Sequence, residues 1–295
     1  MAYTRREFLR TSAAMVASTT LGGDVGGADG KTKPKFQLGL VTYNVAATWD
    51  LPTIIKVCQQ VGIAAVELRT THKHGVEPTL NKGQRKEVRQ RFADSGVVLW
   101  GCGTTCEFHS PDVAEVKRQI ETCKRFVELV ADVGGKGVKV RPNRLVPNVP
   151  AEKTLTQIGQ SLLPCGKAAQ DAGVEIWVEV HGRGTSEPEN VKKIMEHCGH
   201  PKVGLCWNCN PPDVKNGSVA DSFKMLRRWL LSCHINSLYN DSLGVYPYRE
   251  LFRLLTASGY DRYTLCEVGR LRPDPASGAE FLRYYKALWQ ELARP

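Results

Sequence analysis

Val174-Glu175-Ile176-Trp177-Val178-Glu179-Val180-His181-Gly182 is the stretch on which the fold turns. Valine and isoleucine hold the even positions, while Glu175, Trp177, Glu179 and His181 hold the odd ones. Successive strand residues point to opposite faces, so one face is aliphatic and the other carries a carboxylate and an imidazole near its end. Val174, Ile176, Val178 and Val180 suit a face covered by helices. Glu179 and His181 then point into an interior, near the top of the strand. In a closed (β/α)₈ barrel the strands have such faces, and chemistry gathers at their C-terminal ends.

The same grammar extends in both directions. Short β-rich runs fall at 36–44, 64–71, 97–104, 137–143, 174–182, 203–210, 232–239 and 263–269. Helical stretches with an apolar period near 3.6 separate them; in 113–133, Val116, Ile120, Cys123, Val127 and Val130 share a face. Pro52, Pro150 and Pro188 stand where first turns begin, and Gly62, Gly96, Gly173 and Gly259 where helices end. Alternation of this kind is the pattern of a parallel sheet. Eight units predict an α/β protein, a single-domain TIM barrel over residues 36–295. No Gly-x-Gly-x-x-Gly follows the first strand, which argues against a dinucleotide site.

Hydrophobic content of 42% and charge content of 24% are those of a soluble globular protein. No apolar run reaches the roughly 18 residues of a membrane span, so no stable membrane insertion is expected. The N-terminus, Thr4-Arg5-Arg6-Glu7-Phe8-Leu9-Arg10 followed by an Ala/Ser/Thr-rich run, resembles a twin-arginine export signal. Residues 1–30 are therefore read as a signal peptide and the protein as exported and periplasmic, carried across already folded. Net charge is +10. The Lys and Arg residues are spread over many helices, so a focusing field for anionic sugars or sugar acids is preferred to nucleic acid. The chain has 10 cysteines. Several, including Cys206, Cys233 and Cys266, lie in strands and read as small buried hydrophobes. Cys206-x-x-Cys209 lacks a second pair, and a Cys metal site is not expected.

The sixth strand places Asn208 at the height of Glu179, the seventh offers His234 and Asn236, and the eighth Glu267. Each alone is ordinary: a salt-bridged Glu, a satisfied His, a capping Asn. Four on successive strands at one mouth suit a divalent cation such as Mn²⁺, Mg²⁺, Co²⁺ or Zn²⁺. Elsewhere on the rim, strand two sends Glu67 and Arg69 inward, with His72 just beyond. Strand three leads to His109, and strand four sends Lys139 and Arg141 inward. Glu67 is expected to pair with Arg69 or Lys139 at the barrel floor. Arg141, His181, Asn236, His72 and His109 are the candidate substrate-binding residues. Trp100, Trp177 and Trp207 are read as core.

On Glu179, His234 and Glu267 after their hydrophobic strands, residues 36 to about 290 resemble a xylose isomerase-like barrel. That group is the sugar phosphate isomerase/epimerase (AP endonuclease family 2) superfamily, which includes endonuclease IV. The resemblance implies ligands Glu, Asp, His and Glu from strands five to eight, mapping onto Glu179, Asn208, His234 and Glu267. Asn208 departs from the aspartate; it keeps a carbonyl oxygen but removes one negative charge. The resemblance also implies that Glu179 and Glu267 are the catalytic, proton-transferring pair of a metal-dependent isomerase or epimerase. The substrate would be a small carbohydrate passing through an enediolate, and related barrels often form homodimers. A metal-dependent lyase or dehydratase, and a non-catalytic sugar-binding barrel, are the alternatives. Nucleic-acid repair is disfavoured, because Pro211 and Ser237 stand where that branch has a further His and Asp.

Overall fold

The computed structural model describes residues 33–295, and the N-terminal signal read from Arg5 and Arg6 lies outside them. Eight parallel strands close in sequence order, each paired with the next and β8 with β1. They are β1 Gln37–Val41, β2 Ala65–Arg69, β3 Val98–Gly103, β4 Gly137–Val140, β5 Glu175–Glu179, β6 Val203–Asn208, β7 Leu230–Ile235 and β8 Tyr263–Cys266. The helices after them are α1 Leu51–Val61, α2 Lys82–Ser95, α3 Val113–Val133, α4 Ala151–Asp171, α5 Pro188–Cys198, α6 Ala220–Leu226, α7 Tyr248–Ala257 and α8 Pro275–Leu292. The fold is a TIM barrel of the α/β class.

Local chemistry sets the helix ends. Asp50 caps α1 by accepting from the Thr53 N–H, Pro52 opens its first turn, and Gly62 closes it at φ 72°. Asn81 and Gln84 form a reciprocal capping box on α2. Pro188 starts α5 as expected. Every expected strand is present. Seven end two to four residues earlier than read, because the residues at the mouth leave the ladder to form the rim.

Two hydrophobic layers result from the strand alternation. Ile176, Val178, Val138, Val140, Leu205 and Ile235 face outward and join the helices in the large core. A second cluster (Val41, Ala65, Trp100, Trp177, Cys206 and Leu265) fills the barrel interior. Trp100 and Trp177 stack there with ring centroids 4.9 Å apart, a geometry contributing about 0.5–1.5 kcal/mol beyond burial. Below them Glu175 takes a two-armed ion pair from Arg262 at 2.7 and 3.1 Å. Trp207 faces outward and donates from Nε1 to the Tyr246 hydroxyl. All three tryptophans are core. Among the described residues the second cluster fills the barrel interior beneath its C-terminal mouth. All ten cysteines are free thiols, nine of them buried. Among the described residues no helix is long and apolar enough to cross a membrane.

Candidate metal centre

Glu179 ends β5, Asn208 ends β6, and His234 sits beside Asn208 in register. Glu267 follows the last residue of β8, held in line by its N–H donating to the Ile235 carbonyl at 2.9 Å. One ligand atom each from Glu179, His234 and Glu267 lies within 4.8 Å of the others. His234 Nδ1 is 3.3 Å from Glu267 Oε2 and 3.7 Å from Glu179 Oε1. It is fully buried and, among the described residues, has no hydrogen-bond partner. The opposite nitrogen, Nε2, lies 3.0 Å from Glu67 Oε2 across the interior. A carboxylate on one imidazole nitrogen fixes the ring and leaves the other lone pair for a cation. The donors present, two carboxylates and an orphaned imidazole nitrogen, fit a divalent metal of the intermediate kind.

Glu67 thus corrects the floor pairing expected from sequence. It serves His234, and Lys139 goes instead to Glu179, with Nζ 2.7 Å from Oε2. Lys139 pairs in register with Trp177, and Glu179 is the next inward residue up β5. Burial opposes the charge on Glu179, but Lys139 and then His234 outweigh it and hold the carboxyl well below the usual range. Burial also opposes protonation of His234, yet the surrounding groups, Glu67 and Glu267 among them, raise its pKa. Gly103 makes room for this packing. A Cβ there would lie 2.6 Å from Glu67 Oε1 and 3.5 Å from Lys139 Cε.

Asn208 is buried beside the trio and turns its amide nitrogen to Glu179 Oε1 at 2.9 Å. Its Oδ1 accepts from Asn236 at 3.4 Å. As placed, it steadies the carboxylate with a donor, whereas a ligand role needs the amide oxygen on that side.

The mouth above forms a cavity of about 360 Å³, lined by Glu179, Asn208 and Glu267 with Tyr43, Arg69, Lys139, Arg141, His181, Asn210, Asn236, Ser237 and Gly269. Of the expected substrate-binding residues, Arg141, His181 and Asn236 line it. Arg141 pairs with Glu107 at 2.7 Å, and His181 Nδ1 is buried without a hydrogen-bond partner among the described residues. His72 and His109 are not among the lining residues. His72 is hydrogen-bonded to Thr42 Oγ1 at 3.1 Å and stacks on Tyr43. Burial, then His74 and Arg69, push its pKa down to about 4. The buried His109 accepts from Arg144 at 3.2 Å. Arg69 and Lys139 were assigned to the floor by parity, and Tyr43 lies beyond β1, where parity no longer speaks. Beneath the rim, burial pushes Asp213 up to about 7, against opposing hydrogen bonds from the Asn210 N–H and Tyr246.

Residues 55–285 match the profile of the family described as "Xylose isomerase-like TIM barrel". Among solved structures the chain is similar to a D-psicose 3-epimerase determined in the presence of D-fructose: TM-score 0.73, 14% identity, covering 88% of this chain and 99% of that one. It is similar to an IolI protein with a bound zinc atom: TM-score 0.72, 16% identity, covering 88% and 98%. It is also similar to the 3-keto-D-glucoside 4-epimerase YcjR from E. coli: TM-score 0.67, 16% identity, covering 86% and 99%. No curated protein resembles the chain closely enough in sequence to count as a relative.

Proposed function

The chain belongs to the xylose isomerase-like TIM barrel family, and on that footing we propose that it is a divalent-metal-dependent isomerase or epimerase of a sugar or sugar derivative. The observation that carries the reading is the convergence of Glu179 and Glu267 on His234 Nδ1, at 3.7 and 3.3 Å. The epimerase neighbours agree with it.

Glu179, His234 and Glu267 would hold the cation, with Asn208 beside them. When bound, it supplies Lewis-acid polarisation of a carbonyl and its neighbouring hydroxyl. The chain's own residues do the rest. One carboxylate removes the proton from the carbon next to the carbonyl, and the electron pair moves to form an enediolate. Return of a proton to the opposite face by the other carboxylate gives the epimer. Return to the former carbonyl carbon, with the hydroxyl proton passing to the other oxygen as the new carbonyl forms, gives the isomer. Lys139 keeps Glu179 ionised, as a base must be. Arg141 and His181 line the same cavity and supply donors for the developing oxyanion. The tryptophan plug below keeps bulk water from the site's lower side.

Purified protein incubated with Mn²⁺ and a panel of ketoses in D₂O tests this. The expected result is solvent deuterium at the carbon next to the carbonyl, together with a new isomer or epimer. Absence of deuterium from every sugar contradicts it. Deuterium accompanied by an unsaturated product would instead indicate a lyase or dehydratase, since the same enediolate can expel a β-leaving group. Export through the twin-arginine route belongs to the proposal as well. Arg5→Lys with Arg6→Lys should retain the protein in the cytoplasmic fraction, and unchanged secretion would remove it.

A further inference from the structure

The charges of the cavity do not cancel within it. Lys139 is spent on Glu179, Arg141 gives an arm to Glu107, and Glu267 faces His234. Arg69, also in the lining, has no acidic group within ion-pair distance among the described residues. Its Nη1 donates to the carbonyl of Thr70 at 2.9 Å, and Nε and Nη2 make no hydrogen bond there.

Nor is Arg69 a loose surface arginine. Its backbone N–H donates to Thr42 Oγ1 at 2.9 Å, and the same hydroxyl meets His72 at 3.1 Å. His72 stacks on Tyr43, and the guanidinium lies 5.8 Å from the Tyr43 ring centroid. Thr42 and His72 anchor the backbone at Arg69, and the Thr70 carbonyl and the Tyr43 ring hold the guanidinium at the edge of the cavity with two donor nitrogens unused. Burial and then the like charge of Arg141 lower the pKa of Arg69, while Glu179, Tyr43 and Glu267 act in the opposite direction. A fixed guanidinium fork is matched by a carboxylate or a phosphate, which accept from two of its nitrogens at once.

We propose that Arg69, flanked by Arg141, is the subsite for an anionic substituent of the substrate, so that the sugar taken is a keto-acid sugar or a sugar phosphate rather than a neutral ketose. This rests on the isomerase reading of the same cavity and names its substrate class.

The test uses a matched set: D-fructose, D-fructuronate and D-fructose 6-phosphate, titrated calorimetrically into Mn²⁺-loaded protein. The expectation is that one or both charged sugars bind roughly tenfold or more tightly than D-fructose, with an advantage that shrinks as salt is raised. Comparison of the two charged sugars separates carboxylate from phosphate. Arg69→Gln should abolish the advantage, weakening the charged sugars far more than D-fructose, and Arg69→Lys should restore part of it. Charged sugars binding no more tightly than D-fructose overturn the proposal, as does an equal loss of charged and neutral binding in Arg69→Gln. Should that variant fail to fold, the wild-type ranking and its salt dependence decide alone. Deuterium exchange keeps the two readings apart. Equal exchange into neutral and charged sugars removes the subsite and leaves the isomerase. Arg69-dependent anion binding without exchange into any sugar removes the isomerase and leaves the subsite.

Discussion

The ammonium of Lys139 lies 2.7 Å from Oε2 of Glu179, and each side chain is only 4% exposed. A pair this buried is costly to break, because removal of one partner leaves an uncompensated charge in the interior. Lys139→Met should therefore destabilise the fold by about 3–5 kcal/mol in urea titration. It should also move the acidic limb of kcat/KM to higher pH, as Glu179 loses the partner that outweighs its burial. A stability change under 1 kcal/mol with an unmoved profile would mean that the pair is dispensable.

Glu67 reaches His234 Nε2 at 3.0 Å from the other side of the barrel. Glu67→Gln keeps the shape but weakens the hold on the imidazole. Metal affinity should fall about 10–100-fold by calorimetry with Zn²⁺ or Mn²⁺, as is usual when a group behind a ligating histidine is lost. Unchanged affinity would show that Glu67 does not position the ring.

This contact also marks where sequence reading stops. Alternation along single strands was enough to find eight strands, their inward faces, and the convergence of Glu179, His234 and Glu267. Each of those inferences needs only the period of two and the order of the chain. Glu67 to His234 spans 167 residues and crosses the interior. Parity says that both point inward, but not which inward residue each one meets. Arg69 and Lys139 were misplaced at the floor for the same reason, since height within the barrel depends on strand stagger. The turned amide of Asn208 is likewise a matter of its neighbours, and the rim positions of His72 and His109 depend on loop packing.

Asn208 gives Glu179 a hydrogen-bond donor where an aspartate would place a second negative charge. Asn208→Asp should lower the stability of the metal-free protein, because two carboxylates would then face one another without a proton or cation between them. The same change should tighten Mn²⁺ binding roughly tenfold or more, by adding a charged oxygen ligand. Thermal denaturation with and without Mn²⁺ reads both effects. Equal melting shifts in the two conditions would remove Asn208 from the site.

Asp213 is the clearest source of pH dependence away from the trio. Its pKa is raised from 3.8 to about 7, so between those values the folded protein holds a proton that the unfolded chain has lost. Stability from this group therefore falls as pH rises from about 4 to 7 and is level above that. The loss is at most about 4 kcal/mol, since each pKa unit corresponds to about 1.4 kcal/mol. Carboxylates with lowered pKa values, Glu179 among them, act in the opposite direction, so the comparison is with Asp213→Asn. The difference in urea midpoint between variant and wild type should increase in the variant's favour from pH 4.5 to 7.5. A difference independent of pH would contradict this.

The most direct measurement is an anomalous difference map from crystals grown with Mn²⁺. A metal centre at the barrel mouth predicts a single strong peak roughly 2.0–2.6 Å from a Glu179 oxygen, His234 Nδ1 and a Glu267 oxygen. A map with no peak there, and with His234 Nδ1 hydrogen-bonded directly to Glu267 in its place, would contradict it.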